Sequence, residues 1–232
     1  MDLSQAWANL FQIDFFGPMM MNWNMRDSFI IKGLYAITPD MADSNTLLQK
    51  TQLAIEGGAF MVQYRSKIHD REAKMQQCAA ILRLCREYKI PCIVNDDVDM
   101  CRVLQADGVH LGEKDDNIAE VRRILGEDAI IGSSCYDQLN RAKKAQKEGA
   151  SYVAFGAMFE TLTKPHAPRA TLELLREAKS QIQIPIVAIG GITMNNAHDV
   201  IETGIDAIAV INSLFEAKTI KETAEIFSKM FH

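Results

Sequence analysis

The sequence predicts a single (β/α)8 TIM barrel, and three observations carry that reading. From Gly33 onward short β-type runs alternate with longer helix-type segments, the order produced by βα units laid into a parallel sheet. Four helix-to-strand junctions repeat one recipe, a small-residue stop before an apolar run: Glu-Gly-Gly-Ala at 56–59, Gln-Ala-Asp-Gly at 105–108, Glu-Gly-Ala-Ser at 148–151 and Thr-Gly-Ile-Asp at 203–206. Eight such units fit into about 200 residues and no G-x-G-x-x-G follows the first strand, which favours a compact ring over an open dinucleotide-binding sheet.

Taken in order, the predicted strands are Leu34 to Thr38, Phe60 to Tyr64, Cys92 to Val94, Gly108 to Leu111, Ile130 to Ser133, Tyr152 to Phe155, Ile186 to Ile189 and Ala207 to Ile211. Helical periodicity lies between them, as in Leu47, Leu48, Thr51 and Ile55, in Val121, Ile124 and Leu125, and in Leu172, Leu174, Leu175 and Ala178, each a stripe on one face of a 3.6-residue repeat. Asn45 is expected to cap the first helix and Gly57 to end it, and Asp137 and Gly149 to do the same for the helix after the fifth strand.

Composition bounds the rest. At 232 residues and 48% hydrophobic content the chain supports one sizeable core,. A formal net charge of -5 leaves no basic face for nucleic acid or an anionic membrane,. No apolar run reaches the roughly 18 residues of a span. Five cysteines without a C-x-x-C pair, and five histidines without H-E-x-x-H spacing, point to reduced thiols in a cytoplasmic setting rather than to disulfides or a zinc site,. Residues 1–29 read as an N-terminal extension, mobile or packing on the barrel, and 30–232 as the catalytic domain. The extension carries Trp7, Leu10, Phe11, Ile13, Phe15 and Phe16 but lacks the basic start of a signal peptide,. A homo-oligomer is compatible with this pattern.

In such a barrel chemistry belongs to the loops after the strand C-termini. After the second strand, Gln63, Arg65 and Lys67 alternate and should share a face toward the mouth, two cations beside an amide, suited to a diphosphate next to a polar heterocycle. Asp96 after the third strand and Asp115 after the fourth are hard oxygen donors of the kind Mg2+ takes, once Asp97 and Asp116 are set aside as helix caps. Ser134 places a hydroxyl after the fifth strand, and Thr161, Thr163 and Lys164 form an anion cradle after the sixth. Gly190-Gly191 after the seventh strand and Ile211-Asn212 after the eighth suit a phosphate held against backbone NH groups.

Assembled in order, Gln63-x-Arg65-x-Lys67, Asn95-Asp96, Ala106 to Gly112 with Asp115, Gly132-x-Ser134, Thr161-x-Thr163-Lys164-Pro165 and Gly190-Gly191-Ile192 resemble the thiamine phosphate synthase family from Gly33 to about Ala217. The resemblance implies a Mg2+-dependent transferase that joins 4-amino-5-hydroxymethyl-2-methylpyrimidine diphosphate to a thiazole phosphate with release of pyrophosphate. It implies that Gln63, Tyr64, Arg65, Ser66, Lys67, Asn95, Ser134 and Lys164 contact the pyrimidine diphosphate, with Arg65, Lys67, Ser134 and Lys164 catalytic. Thr161, Leu162, Thr163, Gly191, Ile211 and Asn212 would hold the thiazole phosphate, and Asp96 and Asp115 the metal. The chain departs from the family pattern at Asp97, at Cys135-Tyr136, at Glu160 and Leu162, and at Asn212. A related thiazole tautomerase is expected to use a His in the loop where Tyr136 stands, and a catalytically silent barrel would not need the charged set.

Overall fold

The structure, a computed structural model, describes residues 29–112, 117–161 and 168–232. The predicted extension at 1–29 lies outside them except for its last residue. Eight parallel strands close a barrel in sequence order: β1 (Gly33–Ile37), β2 (Ala59–Tyr64), β3 (Cys92–Asn95), β4 (Gly108–Leu111), β5 (Ile130–Tyr136), β6 (Tyr152–Phe155), β7 (Ile186–Ile189) and β8 (Ala207–Val210). The ring is sealed where β1 pairs with β8, Gly33 opposite Ala207 and Ala36 opposite Val210. Three strands have the predicted bounds; β5 runs three residues further than predicted, to Tyr136, because its register against β6 shifts between Ser134 and Tyr136.

Around the ring lie α1 (Ser44–Glu56), α2 (Arg71–Glu87), α3 (Val98–Leu104), α4 (Ile118–Leu125), α5 (Leu139–Lys147), α6 (Leu172–Gln181), α7 (Ala197–Ile201), α8 (Asn212–Phe215) and α9 (Ile220–Lys229). Each strand is buried on both faces, so its two-residue period sorts residues between two apolar environments rather than between core and water. Leu34, Val62, Val109 and Val153 belong to the core between sheet and helices. Tyr35, Gln63, His110 and Ala154, one position along, face the cavity inside the ring.

The cap expectations divide. Gly57 follows α1 as predicted, but Asp43 begins that helix: its backbone is extended and its carboxylate accepts from Thr46 N at 2.6 Å, while Asn45 is already in the first turn. Asp137 does not cap α5, which starts after Gln138 with no side-chain cap, because β5 extends to Tyr136. Asp97 does cap α3, accepting from Met100 N at 2.8 Å, and Asn117 caps α4. Of the stripe Val121, Ile124 and Leu125, Val121 is buried and Leu125 is half-buried against the core, while Ile124 is 47% exposed; Ile118 completes the buried face of α4.

Polar residues lock the N-terminal end of the barrel, its floor. Asp107 and Asp206, the acidic residues of two repeated junctions, accept from the first strand amides beside them, Cys92 N and Ile186 N, each at 2.8 Å. Burial pushes the Asp107 carboxyl above its ordinary range. Arg122 of α4 donates to the carbonyls of Gly126, Glu127, Ala129 and Gly149, tying together the entries to β5 and β6. At the seam α9 returns to α1: Ser228 Oγ donates to Gly58 O at 2.9 Å and Lys221 sits 3.4 Å from Glu56. Among the described residues no helix is long and apolar enough to cross a membrane.

Candidate active site

The C-terminal end of the ring holds a cavity of about 300 Å3. One arc of its wall comes from β1 to β5 and carries Tyr35, Gln63, Arg65, Asn95, His110 and Ser134; the other comes from β6 to β8 and their loops and carries Thr161, Gly191, Ile211 and Asn212. Tyr35 and Asn212, 177 positions apart in the chain, thus meet around one space, as the fold predicts for its strand ends,.

Arg65 is the best-anchored cation of the first arc. Its amide donates to Thr38 Oγ1 at 2.8 Å, and its guanidinium donates to Asp40 Oδ2 at 3.0 Å with 15% of the side chain exposed. Asp40, which sequence reasoning missed because it follows Pro39 in an ordinary-looking turn, also accepts from Lys67 N at 2.8 Å. Two expectations for this stretch need correcting. Tyr64 does not face the cavity: it points into the helix layer and donates to Lys74 O and Gln77 Oε1, as the alternation of β2 demands once Gln63 points inward. Lys67 does not line the cavity: it lies beyond the end of β2 with its side chain 69% exposed, and its Nζ sits 3.5 Å from Asp40 Oδ2, the same oxygen that holds Arg65. Ser66 bonds locally, accepting from Ile68 N.

Asn95 lines the cavity and donates from Nδ2 to Asp96 Oδ2 at 2.6 Å. Asp96 sits at φ 63, a left-handed conformation uncommon outside glycine, so the backbone is bent to present this residue at the end of β3,. Asp97, one of the departures from the family pattern, is turned away as the α3 cap and lies 3.9 Å from Lys74. Asp115, Leu162, Thr163 and Lys164 lie outside the described residues; their neighbours Gly112 and Thr161 follow β4 and β6 at this same end.

The second arc is held backbone against backbone. Gly191 has φ 66, and a Cβ there would lie 2.4 Å from Glu160 O, so the loop after β7 can press on the loop after β6 only with glycine at this point,. Asn196 donates to Gly191 O at 3.1 Å and accepts from Thr193 N at 2.7 Å, while Ser213 Oγ donates to Ile192 O, joining the loops after β7 and β8. This gives Gly191, Ile211 and Asn212 a fixed rim.

Sequence reasoning also missed the polar column inside the first arc. Gln63 Nε2 donates to Tyr35 Oη at 2.8 Å, Tyr35 Oη lies 3.0 Å from Tyr152 Oη, Tyr152 Oη lies 2.9 Å from His110 Nδ1, and His110 Nε2 lies 2.9 Å from Ser134 Oγ. The Tyr152 ring stacks on His110 at 5.6 Å and meets Tyr35 edge-on at 5.9 Å. Burial pushes both phenols above their ordinary value, so each remains a protonated donor near neutrality,. Beside the column Arg141 donates to Ser134 O at 2.8 Å and Gly112 O at 3.3 Å, with its guanidinium 5.8 Å from the Tyr136 ring centroid.

Comparison with known proteins bears on this geometry. A family profile described as thiamine monophosphate synthase matches residues 34–214. The thiamine-phosphate synthase of Nitrosospira multiformis is 47% identical over 201 residues, covering 87% of this chain and 86% of that protein. That of Methylococcus capsulatus is 48% identical, covering 88% and 91%. A solved structure, thiamine phosphate pyrophosphorylase from Pyrococcus furiosus, superimposes with TM-score 0.78 at 35% identity, covering 87% of this chain and 96% of its own.

Proposed function

The chain belongs to the thiamine monophosphate synthase family, and from that premise we propose that it couples 4-amino-5-hydroxymethyl-2-methylpyrimidine diphosphate to a thiazole phosphate, giving thiamine phosphate and pyrophosphate. It is a transferase of thiamine biosynthesis working on small phosphorylated substrates. The observation that carries the reading is the meeting in one cavity of Arg65, Asn95 and Ser134 with Thr161, Gly191 and Asn212: an amide, hydroxyl and cation set on one arc, and a glycine-bearing phosphate rim on the other.

The bond between the pyrimidine methylene and the diphosphate oxygen breaks, and its electron pair leaves with pyrophosphate. The thiazole nitrogen then gives its own lone pair to the cation-like methylene, so no proton need be removed by a base. The protein therefore contributes position and charge. Gln63 and Asn95 orient the pyrimidine, Arg65 and Lys164 take up the growing charge on the leaving oxygen, Ser134 donates to it, and Lys67 adds positive potential from the rim. Thr161, Thr163, Gly191 and Asn212 hold the thiazole phosphate, with Ile211 and Leu162 beside them.

A divalent cation fits the donor chemistry: Asp96 supplies a hard carboxylate at a bent strand end beside Asn95, and with Asp115 it would hold Mg2+. When bound, the ion neutralises diphosphate charge. The five buried, unpaired cysteines support a cytoplasmic setting,.

The test is pyrophosphate release on mixing both substrates with Mg2+, which a tautomerase or a silent barrel would not produce. Asp96→Ala and Lys164→Ala should each lose on the order of a hundredfold or more in rate. An unchanged rate in Asp96→Ala removes the metal assignment.

A further inference from the structure

The polar column lends itself to proton counting. Tyr35 and Tyr152 are buried and each phenol owns one hydrogen,. Gln63 offers Tyr35 an NH2 group at 2.8 Å, which can only donate. The Tyr35 hydrogen must then go to its other partner, Tyr152 Oη at 3.0 Å. Tyr152 Oη, now an acceptor on that side, has His110 Nδ1 at 2.9 Å as the place for its own hydrogen. Nδ1 is thereby an acceptor, the imidazole is neutral, and its proton sits on Nε2, 2.9 Å from Ser134 Oγ,. The opposite order would set two donors on the Tyr35 oxygen and leave the Tyr35 hydrogen buried without an acceptor, the costlier arrangement.

We propose that Tyr35, Tyr152 and His110 are positioning residues that set the direction of the Ser134 hydroxyl: His110 donates to its oxygen, so its hydrogen is turned into the cavity as a standing donor. The inference rests on the functional reading above, in which Ser134 faces the pyrimidine diphosphate; the anionic oxygen of the leaving group is the acceptor such a donor selects. A serine that instead donated to His110 would present only lone pairs to an anion. The sequence keeps room for the column: a Cβ at Gly132 would lie 2.1 Å from Tyr152 Cζ and 2.6 Å from His110 Nδ1.

Two measurements test this, one independent of turnover. In protein labelled with nitrogen-15 histidine, with His110 assigned against a His110→Asn variant, the free enzyme at neutral pH should show a protonated Nε2 and an unprotonated Nδ1. Tyr152→Phe, which keeps the ring and removes the link, should show a mixture of tautomers. A wild-type His110 protonated at Nδ1, alone or together with Nε2, overturns the proposal. In turnover, Tyr152→Phe should lower kcat roughly tenfold with little change in KM for the thiazole phosphate, and should cost nothing further in a Ser134→Ala background. The same tenfold loss in that background would mean that Tyr152 supports the fold alone and would overturn the proposal. Absence of turnover in the wild type would overturn the functional reading, while the nitrogen spectrum still decides the proton order.

Discussion

At the floor of the barrel Arg122 spends its guanidinium on four backbone carbonyls, and Asp107 and Asp206 on two strand amides. At the mouth Arg65 is held by one carboxylate, Asp40, and still lines an open cavity. The same residue types thus serve opposite ends. Where the polar groups end on the protein's own atoms, the energy goes into closing the ring; where donors are oriented by neighbours but keep a side toward the cavity, it goes into a ligand. Mouth and floor substitutions should therefore separate into activity and stability effects.

The largest separation is expected at the mouth. Arg65→Ala should lower kcat/KM on the order of a thousandfold while the melting temperature moves by about 2 °C or less; a fall of ten degrees would show that the Asp40 clamp is structural and erase the distinction. The converse follows at the floor, where Arg122→Ala strips donors from four carbonyls. It should cost about 3 kcal/mol of stability by denaturant unfolding, with kcat per folded molecule unchanged. A smaller effect comes from the thiols between sheet and helices. Burial pushes Cys101 and Cys135 up to about 12 from an ordinary value of 9.0. The unfolded chain releases these protons first, so their contribution is whole below about pH 9 and is lost as the pH rises toward 12. Melting temperature against pH should bend downward in that window, and less steeply in Cys135→Ala; identical slopes would discount the thiols.

Much of the fold was legible because strands buried on both faces announce themselves as short apolar runs, and the repeated junctions mark where each begins. Gln63, Arg65, Asn95, Ser134, Gly191 and Asn212 were legible as cavity-lining positions because each lies near or just past the C-terminal end of a strand, and that end of the ring holds the cavity,. Lys67, two residues beyond Arg65, stands exposed beside Asp40 rather than in the lining. Tyr35, His110 and Tyr152 were hidden for a different reason: an aromatic inside a strand reads as core, and partners 117 and 42 positions apart leave no local pattern. Asp40 and Arg141 were missed likewise, as their work is done on neighbouring strand ends.

The column that ends at Ser134 draws on β1, β2, β4, β5 and β6. Neither half of the molecule contains it: β1 to β4 supply three of its five side chains, and the remaining two arrive only with the other half. The column therefore exists only in the finished circle, and half a sheet cannot assemble it.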